Sequence, residues 1–328
     1  MIIILSINGD TSTDEVCRNL SLRKIPYIRI NDDLFTKESD YKIALENDFI
    51  RITTKTNNLS ININEKHILW NRKFGFYQNT EMFNNTLPAF ENDIIGHLST
   101  EYYSFTDMLR SSLNSKNIKW LLPYIEINKS QQLAIATSVG FKTPKTIITN
   151  DKDELISFLQ KNKNCILKPL KSGKTFFKKN YSYPLLTFKI KVNKIHELPN
   201  TFLPSIFQEC IEKEFEIRSF VLGKKIFSMA IFSQDDNQTE VDFRNYNIEK
   251  PNRTVPYNLP EKIELLIHKF MIKSNLNTGS IDIIKSTNGQ YYFLEINPSG
   301  QFGMVSYPCN YNLEHEITNY LNDYERFI

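Results

Sequence analysis

The hydrophobic pattern at the amino end of the chain alternates between that of a strand and that of a helix. Residues 2–7 form a continuous apolar run that ends in a polar turn, which is typical of a parallel strand buried on both faces. A helical pattern covers residues 14–24, with Ser12 or Thr13 as the expected N-cap, and residues 26–30 form a second strand-like segment. This strand–helix–strand order predicts an open α/β sheet.

Strand and helix patterns continue to alternate along the rest of the chain. Changes of pattern near residues 120 and 205 predict three domains, which cover residues 1–120, 121–205 and 206–328. No internal repeat or low-complexity linker divides them, and the fold class is α/β. The predicted helices cover residues 95–118, 128–139, 152–161 and 261–275, and the predicted strands cover residues 49–52, 59–63, 67–70, 146–148, 165–169 and 226–232.

Composition and charge limit the classes of protein that fit this pattern. Of the 328 residues, 41% are hydrophobic and 23% are charged, which is ordinary for a globular protein and excludes wholesale disorder. The formal net charge of +3 lacks the cationic excess of a nucleic-acid coat. No apolar run approaches the ~18 residues that span a bilayer, and the apolar start lacks the basic region of a signal peptide. We therefore expect neither nucleic acid nor membrane as a partner.

The cysteines give a prediction about the compartment. Cys17, Cys165, Cys210 and Cys309 lie far apart, so no pair has the CxxC spacing of a zinc site and the set shows no disulfide framework. Buried free thiols are the expected state of such residues in a reducing compartment. The sequence therefore predicts a cytoplasmic protein.

A β-hairpin near the carboxyl end carries polar side chains among apolar ones. Its predicted strands cover residues 280–285 and 290–296. Asp282 on the first strand then falls opposite Glu295 or the residue before it. Glu295 and Asn297 share a face because side chains alternate along a strand. Two carboxylates and an amide oxygen suit Mg²⁺, with phosphates completing the coordination shell, so the hairpin predicts a Mg²⁺ site.

A second pattern suits phosphate contact. A predicted strand delivers Lys168 to a polar loop that contains Gly173, and together they supply a compact positive charge and backbone N–H groups. Lys174 in this loop fits phosphate contact and a solvated surface position equally. Residues 172–175 resemble the end of a P-loop, but that motif requires glycine at the position of Lys168, so a P-loop is not expected.

Two further segments are uninformative by themselves. Residues 207–211 and 214–218 form an amphipathic strand pattern with acidic residues, which is typical of a salt-bridged surface. Asp242 and Arg244 lie in a polar loop after a predicted strand. No Ser/His/Asp arrangement stands out, and none of the five histidines is an obvious general base.

The order of these segments resembles the ATP-grasp superfamily of carboxylate ligases. A strand lysine, a flexible loop, Gln-Glu-x-Ile, Glu-Ile-Arg, Asp-Phe-Arg and Asp…Glu-x-Asn follow one another over about residues 125–305. More closely, the chain resembles the ATP-grasp maturases of graspetides, the microviridin-type and grasp-with-spasm systems. One departure is Lys73, where many relatives carry a second arginine. The motifs of this closer resemblance lie at residues 70–73, 128–133, 140–150 and 293–302.

The resemblance implies a fold and a set of site residues. The fold is ATP-grasp, in which an N-terminal open α/β domain precedes central and C-terminal α+β subdomains that clasp ATP. The central subdomain holds a lid loop and a site for a leader peptide. The implied residues are Lys129, Lys168 and Lys174 near the phosphates, Glu209, Cys210 and Ile211 as the hinge whose backbone contacts adenine, Glu216 or else Glu214 at the ribose, Arg218 and Arg244 at the transferred phosphate, and Asp282, Glu295 and Asn297 as Mg²⁺ ligands.

The resemblance also implies an enzyme and its reaction. A carboxylate is a poor electrophile, and transfer of the γ-phosphoryl group of ATP converts it into an acyl phosphate with a good leaving group. A hydroxyl or amine then attacks and releases phosphate. In graspetide maturases the substrate is a ribosomal precursor peptide, whose Glu or Asp side chains are joined to Thr, Ser or Lys side chains to close macrocycles. The family also implies a homodimer.

Two other functions remain compatible with the same residues. One is a glutamate-ligase-like enzyme that adds a free amino acid to a small molecule or to a protein tail. The other is a nucleotide-binding protein without turnover. The presence of the implied metal ligands and of both arginines favours an enzyme over a binding protein, because binding alone does not require them.

Overall fold

The amino-terminal part of the molecule is built on a parallel sheet. Strands β2, β1, β6 and β7 pair in parallel in that order, while β3, β4 and β5 form a separate antiparallel sheet, which confirms the predicted open α/β sheet. The computed structural model describes residues 1–31, 42–53, 58–75, 92–162, 164–171, 175–178, 181–184, 186–190 and 192–323. The first elements are β1 (Ile2–Ser6), α1 (Thr11–Leu22), β2 (Tyr27–Asn31), β3 (Lys42–Leu45), β4 (Phe49–Thr53), β5 (Asn58–Asn62), β6 (His67–Asn71), α2 (Asn92–Ser112) and β7 (Ile118–Leu121).

Two helix boundaries differ from the sequence prediction. Helix α1 begins at Thr11 with Asp10 as its N-cap, so Ser12 and Thr13 lie inside the helix. The Asp10 carbonyl accepts two N–H groups of the first turn, at 2.8 and 3.0 Å. Helix α2 ends at Ser112, and the remainder of the predicted helix is a turn followed by β7. The intervening Asn and Ser residues favour a turn because their side chains compete with helical hydrogen bonds.

The middle of the chain forms an antiparallel sheet with helices beside it. Strands β12, β9, β13 and β8 pair in that order, and β10 pairs with β11. Helix α3 begins at a capping box formed by Asn128 and Gln131, which fixes Lys129 at the first helical position, and it ends at Gly140 with a φ of 105°. The elements are α3 (Lys129–Val139), β8 (Thr146–Asp151), α4 (Lys152–Lys161), β9 (Cys165–Lys168), β10 (Thr175–Lys178), β11 (Tyr181–Pro184), β12 (Phe188–Lys189) and β13 (Thr201–Glu209).

The carboxyl-terminal part is an antiparallel sheet with strand order β16-β15-β14-β17-β18. Its elements are β14 (Lys213–Leu222), β15 (Lys225–Phe232), β16 (Arg253–Pro256), α5 (Glu261–Lys273), β17 (Thr278–Ser286), β18 (Tyr291–Asn297), α6 (Gly303–Cys309) and α7 (Leu313–Leu321).

The two faces of β14 enter two different hydrophobic cores. Val221 packs in a core with Phe270 of α5. Phe220 faces the other way, into a core that includes Trp70 of the amino-terminal sheet. Arg218 lies on the same face as Phe220 because side chains alternate along a strand. Arg218 therefore lies beside the core that joins the first and last sheets.

The cysteines and the helices bear on the predictions made from composition. The four cysteines form no disulfide; Cys17, Cys165 and Cys309 are buried and Cys210 is half-buried. Among the described residues, no helix combines the length and the apolar character needed to cross a membrane. The division of the chain into three domains stays a prediction.

Candidate active site

The hairpin of β17 and β18 has the predicted register. Asp282 pairs with Glu295, and Ser280 pairs with Asn297. Residues two apart on a strand and residues directly opposite share a face, so Asp282, Glu295 and Asn297 project from the same side of the sheet. The register shifts after Asp282, which leaves Leu294 as the extra residue of a bulge next to Glu295.

These carboxylates line a cavity between the central and the carboxyl-terminal sheets. The cavity has a volume of about 430 Å³. A second cavity of about 360 Å³ adjoins it, shares Lys168, Gln208, Leu294 and Glu295 with it, and adds Lys129. The predicted site residues that line the larger cavity are Lys168, Glu209, Cys210, Ile211, Glu216, Arg244, Asp282 and Glu295.

Three of the predicted site residues that the structure describes do not line either cavity. Arg218 lies behind Asp282 and contacts it directly. Asn297 is exposed beyond Glu295 on the same face of the hairpin. Glu214 pairs with Lys285 and not with a residue of the cavities. Lys174 lies outside the described residues, and the choice between its two interpretations stays open.

Arg218 and Asp282 form a pair with two hydrogen bonds. The Nη1 atom of Arg218 donates to both carboxylate oxygens of Asp282, at 3.0 and 3.1 Å. Burial raises the pKa of Asp282 to about 6, with further contributions from Glu295 and Glu216 that Arg218 and Arg244 only partly offset. The negative charge of Asp282 is therefore only partly balanced by its cationic neighbours, and a further positive charge beside it would stabilise the carboxylate.

Glu295 lies among three cationic side chains. Its Oε2 atom is 3.5 Å from the Nζ atom of Lys129, which also donates to the Pro169 carbonyl at 3.0 Å. Burial acts to raise the pKa of Glu295, but Lys168, Lys129 and Arg244 outweigh it, so the pKa lies below its usual value. Burial lowers the pKa of Lys168, and Glu295 partly restores it. The cavity thus places ammonium and carboxylate groups next to each other, as a phosphate–metal site requires.

A short loop holds Arg244 at the same cavity. Its Nε and Nη2 atoms donate to the two oxygens of Asp242, at 2.8 and 2.7 Å. Although burial opposes it, this bidentate pair lowers the pKa of Asp242 to about 2. Asp242 also accepts the Thr187 N–H at 3.2 Å. The guanidinium is therefore held in a fixed orientation and remains charged.

The predicted hinge follows the end of β13. The Cys210 N–H donates to the Asn164 carbonyl at 2.9 Å, and the Glu209 N–H donates to the Lys145 carbonyl at 2.8 Å. The Ile211 N–H finds no acceptor in the part of the chain that the structure describes. Of the three predicted hinge N–H groups, Ile211 is the one available to a ligand.

The structure distinguishes between the two acids that were predicted for the ribose. Glu216 is buried at the cavity, and its Oε1 atom accepts hydrogen bonds from Lys213 and Ser233. Glu214 has a half-exposed side chain that pairs with Lys285 at 3.1 Å, away from the cavity. The pairing of β14 with β17 shifts in register between Lys213 and Phe215, so Glu214 lies within the irregular part of the strand and Glu216 lies after it. Of the two acids, Glu216 lies at the cavity and Glu214 does not, and the contact with the ribose stays a prediction.

Sequence reasoning missed several residues that line the larger cavity. Lys189 pairs with Glu240 at 2.6 Å, and Lys213 holds Glu216. Neither lysine belongs to a motif, so the sequence gives no signal for them. Gln208 does give a signal, since it is a polar residue at an inward position between apolar ones, with only 2% of its surface exposed.

The amino-terminal sheet reaches the segment that follows Asn297. Arg72 is 3% exposed and donates through Nη1 to the carbonyls of Ser299 and Gly300, the latter at 3.1 Å. Its Nη2 donates to Gln301 Oε1 at 3.1 Å, and its Nε lies 3.4 Å from the buried carboxylate of Asp10. This contact gives the amino-terminal domain a structural connection to the metal-ligand strand, a role that the sequence left undefined.

Comparison with known proteins decides the family. The model of the RimK-like ATP-grasp domain matches residues 126–321. That match covers more than half of the chain and includes both sheets around the cavity.

The chain belongs to the RimK-like ATP-grasp family.

Solved structures confirm the ATP-grasp fold over nearly the whole chain. A ligase associated with ribosomally made peptides from Chryseobacterium gregarium, solved with ADP and a leader and core peptide, is 24% identical with a TM-score of 0.80, over 98% of this chain and 95% of that one. The macrocyclase MdnC of Microcystis aeruginosa MRC, bound with the precursor peptide MdnA, is 23% identical with a TM-score of 0.81, over 98% and 99%.

A curated protein that is similar to this chain is a glutamate ligase. The tetrahydromethanopterin:alpha-L-glutamate ligase of Methanocaldococcus jannaschii is 25% identical over 185 residues, which are 55% of this chain. The matched part spans 61% of the length of that relative.

The residues at this ATP-grasp site fit a hard divalent cation. Among the described residues, no three His, Cys, Asp or Glu side chains cluster closely enough to bind a metal by themselves. Asp282 and Glu295 supply two carboxylates on one face, and Asn297 supplies an amide oxygen on the same face. Oxygen donors of this kind, with remaining positions left for phosphate and water, are what Mg²⁺ binds.

Proposed function

We propose that this protein is an ATP-dependent carboxylate ligase that cross-links side chains of a ribosomal precursor peptide. The observation that carries the proposal is the cavity in which Asp282 and Glu295 lie beside Lys168, Lys129 and Arg244. This set of charges serves phosphoryl transfer, because such a step requires positioning and charge neutralisation more than a protein nucleophile.

Each charged group has a role in the proposed reaction. Asp282, Glu295 and Asn297 would hold Mg²⁺, which would neutralise charge on the phosphates. Lys168 and Lys129 bind phosphate oxygens beside the metal ligands. Lys168 lies on β9 and Lys129 lies on α3. A nucleotide whose phosphates contact both lysines therefore spans the two adjoining cavities.

The chemistry proceeds in two balanced steps. In the first, an oxygen of a peptide Glu or Asp carboxylate attacks the γ-phosphorus, and the bond to the β-phosphate oxygen breaks to release ADP. In the second, a Thr or Ser hydroxyl, or a Lys amine, attacks the acyl carbon, and phosphate leaves with the electrons of the bond between the acyl carbon and the phosphate oxygen. The proton of the attacking group passes to the departing phosphate or to water. Arg244 lines the cavity and is suited to bind the transferred phosphoryl group, because a planar guanidinium matches phosphate oxygens. For Arg218, which lies behind Asp282, the same role stays a prediction from the resemblance. The product is an ω-ester or ω-amide that closes a ring.

The choice of a peptide substrate rests on the similar solved structures. The Chryseobacterium ligase was solved with a leader and core peptide, and MdnC with its precursor peptide. Both match this chain over 98% of its length, so the likeness extends beyond the nucleotide-binding part. We propose a leader peptide site in the central domain and a homodimer, as in the family the sequence resembles.

Mass spectrometry tests the proposed reaction directly. The purified protein is incubated with Mg-ATP and a candidate precursor peptide, and the peptide is expected to lose the mass of one water for each ring formed. The loss should require both ATP and Mg²⁺, and tandem spectra should place each link between an acidic residue and a Thr, Ser or Lys residue. Release of ADP with an unchanged peptide would contradict the proposal.

The glutamate ligase relative supports a second candidate function. In that case the protein adds a free amino acid to a small molecule or a protein tail. The same experiment with glutamate present distinguishes the two functions, because addition of an amino acid raises the mass of the acceptor while ring closure lowers that of the peptide. Binding of ATP with no turnover on either substrate would favour a binding protein.

Replacement of Lys168 by alanine is expected to raise the KM for ATP by about 10- to 100-fold, because a hydrogen bond between an ammonium and a phosphate is lost. The measurement is ADP release as a function of ATP concentration. Lys225→Ala is a matched control, since Lys225 is a surface lysine with one carboxylate partner, Glu316. Unchanged kinetics in Lys168→Ala would refute the assignment.

A further inference from the structure

The metal-ligand strand β18 is the edge strand of its sheet, so the backbone N–H groups on its outer side need partners from outside the sheet. Two of them find partners in α3 and the segment that follows it. The Phe293 N–H donates to the Lys142 carbonyl at 2.9 Å, and the Ile296 N–H donates to the Oε1 atom of Gln132 at 3.0 Å. The outer side of β18 is therefore held by residues from another part of the chain.

The spacing of these two N–H groups follows from the bulge at Leu294. In a regular antiparallel strand every second N–H points outwards, so the next such group after that of Phe293 would lie two residues away. Here it belongs to Ile296, three residues away, because Leu294 is an extra residue without a partner on β17. The Ile296 N–H therefore faces Gln132 only in the bulged register.

The same bulge decides which residue lies opposite Asp282. If the pairing of Ile283 with Phe293 continued without an extra residue, Leu294 would lie opposite Asp282. Glu295 would then point to the other face of the sheet, since a shift of one residue reverses the face of each side chain after it. The bulged register places Glu295 opposite Asp282 instead, and both line the larger cavity. A group that stabilises the bulge thus stabilises the pair of carboxylates.

The Gln132 amide is fixed between two backbone groups. Its side chain is 6% exposed, and its Nε2 atom donates to the Ile127 carbonyl at 3.0 Å. Because that carbonyl only accepts and the Ile296 N–H only donates, the two partners determine the orientation of the amide. On the same side of α3, three residues earlier, the Nζ atom of Lys129 lies 3.5 Å from Oε2 of Glu295. One side of the helix therefore contacts both the side chain of Glu295 and the backbone of the next residue.

We infer that Gln132 is a positioning residue of the proposed reaction, whose side-chain carbonyl selects the bulged register of β18 and so holds Glu295 opposite Asp282 for binding of Mg²⁺. Gln132 lines neither cavity, so it acts through the strand and not by contact with the nucleotide. The inference rests on the proposed function, because it assumes that the two carboxylates bind Mg²⁺ together with ATP.

Replacement of Gln132 by methionine keeps the length of the side chain and removes both hydrogen bonds. Without this acceptor the bulged register loses its advantage, and Glu295 lies at the metal site in only a fraction of the molecules. Because Mg²⁺ binds that fraction and restores the register, half-maximal ADP release should require about tenfold more Mg²⁺, while kcat at saturating Mg²⁺ stays within about twofold of the wild type.

Two measurements without turnover accompany the kinetics. The affinity for the Mn²⁺–ADP complex, followed by electron paramagnetic resonance, should fall about tenfold in Gln132→Met, while the calorimetric affinity for ADP without metal stays within about twofold. Exchange of the Ile296 amide hydrogen, followed by nuclear magnetic resonance in the free protein, should be faster than in the wild type, because that N–H loses its acceptor.

Asn277→Leu is the matched control. The Asn277 side chain also bridges two backbone groups, since it accepts the Leu122 N–H at 2.9 Å and donates to the Trp120 carbonyl at 2.6 Å, but it lines neither cavity and does not contact β18. This variant should be destabilised without any change in the Mg²⁺ requirement. An equal loss of Mn²⁺–ADP affinity in the two variants would overturn the inference.

Other outcomes separate positioning from general support of the site. Equal weakening of ADP with and without metal, or a loss of kcat at an unchanged Mg²⁺ requirement, would also overturn the inference. Deletion of Leu294 provides a second background, because it places Glu295 opposite Asp282 without a bulge. There Gln132→Met should no longer change the Mn²⁺–ADP affinity, and a change as large as in the full chain would contradict the proposed role. Wild-type protein that binds no adenine nucleotide would contradict the proposed function instead.

Discussion

Replacement of Glu295 by glutamine is expected to lower ADP-forming turnover by about a hundred- to a thousandfold while leaving the fold intact. Glutamine keeps the shape of the side chain but removes the negative charge that lies beside Lys168, Lys129 and Arg244. The proposed Mg²⁺ site loses one of its two carboxylates, and the cationic groups lose the charge that balances them. Turnover is measured as ADP release at saturating ATP, and folding by circular dichroism and thermal melting.

A surface pair supplies the matched control for this variant. Glu316 pairs with Lys225 at 2.6 Å, and its side chain is 26% exposed, close to the 23% of Glu295. Glu316→Gln therefore removes one carboxylate from one Lys–Glu pair at similar exposure, and its turnover should stay within about twofold of the wild type. If Glu295→Gln instead melts far below the wild type, or loses no more turnover than the control, Glu295 does not act through a metal ion.

The part of the site on the hairpin is predictable because its determinants are local. The turn contains Asn288 and Gly289, and Gly289 adopts a positive φ of 78°, as such a turn requires. Alternation along the two strands then places Asp282 opposite Glu295. The bulge at Leu294 is not visible in this pattern, because an extra residue depends on how the partner strand pairs and not on the residue itself.

Contacts between distant segments are the part that the sequence does not predict. Gln208 meets Thr146 only because β13 lies between β8 and β9, and this strand order is not encoded in the alternation of any single strand. The N-cap of α1 is a similar case. Local propensity places the start of α1 at Ser12 or Thr13, but the helix begins one residue after Asp10. The buried carboxylate of Asp10 pairs with Arg72, which lies 62 residues further along the chain, and a pattern of neighbouring residues does not include that contact.

Replacement of Arg72 by alanine is expected to lower the free energy of unfolding by about 3–5 kcal/mol. The Arg72 and Asp10 side chains are 3% and 1% exposed, so the variant leaves a buried carboxylate with Lys73, at 3.1 Å, as its remaining cation. The carbonyl of Gly300 and the side-chain oxygen of Gln301 also lose a donor. The measurement is urea denaturation followed by circular dichroism.

Arg18→Ala is the matched control for Arg72→Ala, because Arg18 pairs with Glu15 at 2.8 Å on the surface, where its side chain is 62% exposed. An exposed pair of this kind contributes about 0.2–1 kcal/mol, so the two arginines should differ by several kcal/mol. Because Arg72 holds the segment directly after Asn297, the variant should also require more Mg²⁺ for half-maximal ADP release in the absence of urea. Equal stability losses in the two variants would show that the buried contact does not hold the amino-terminal sheet to the metal-ligand strand.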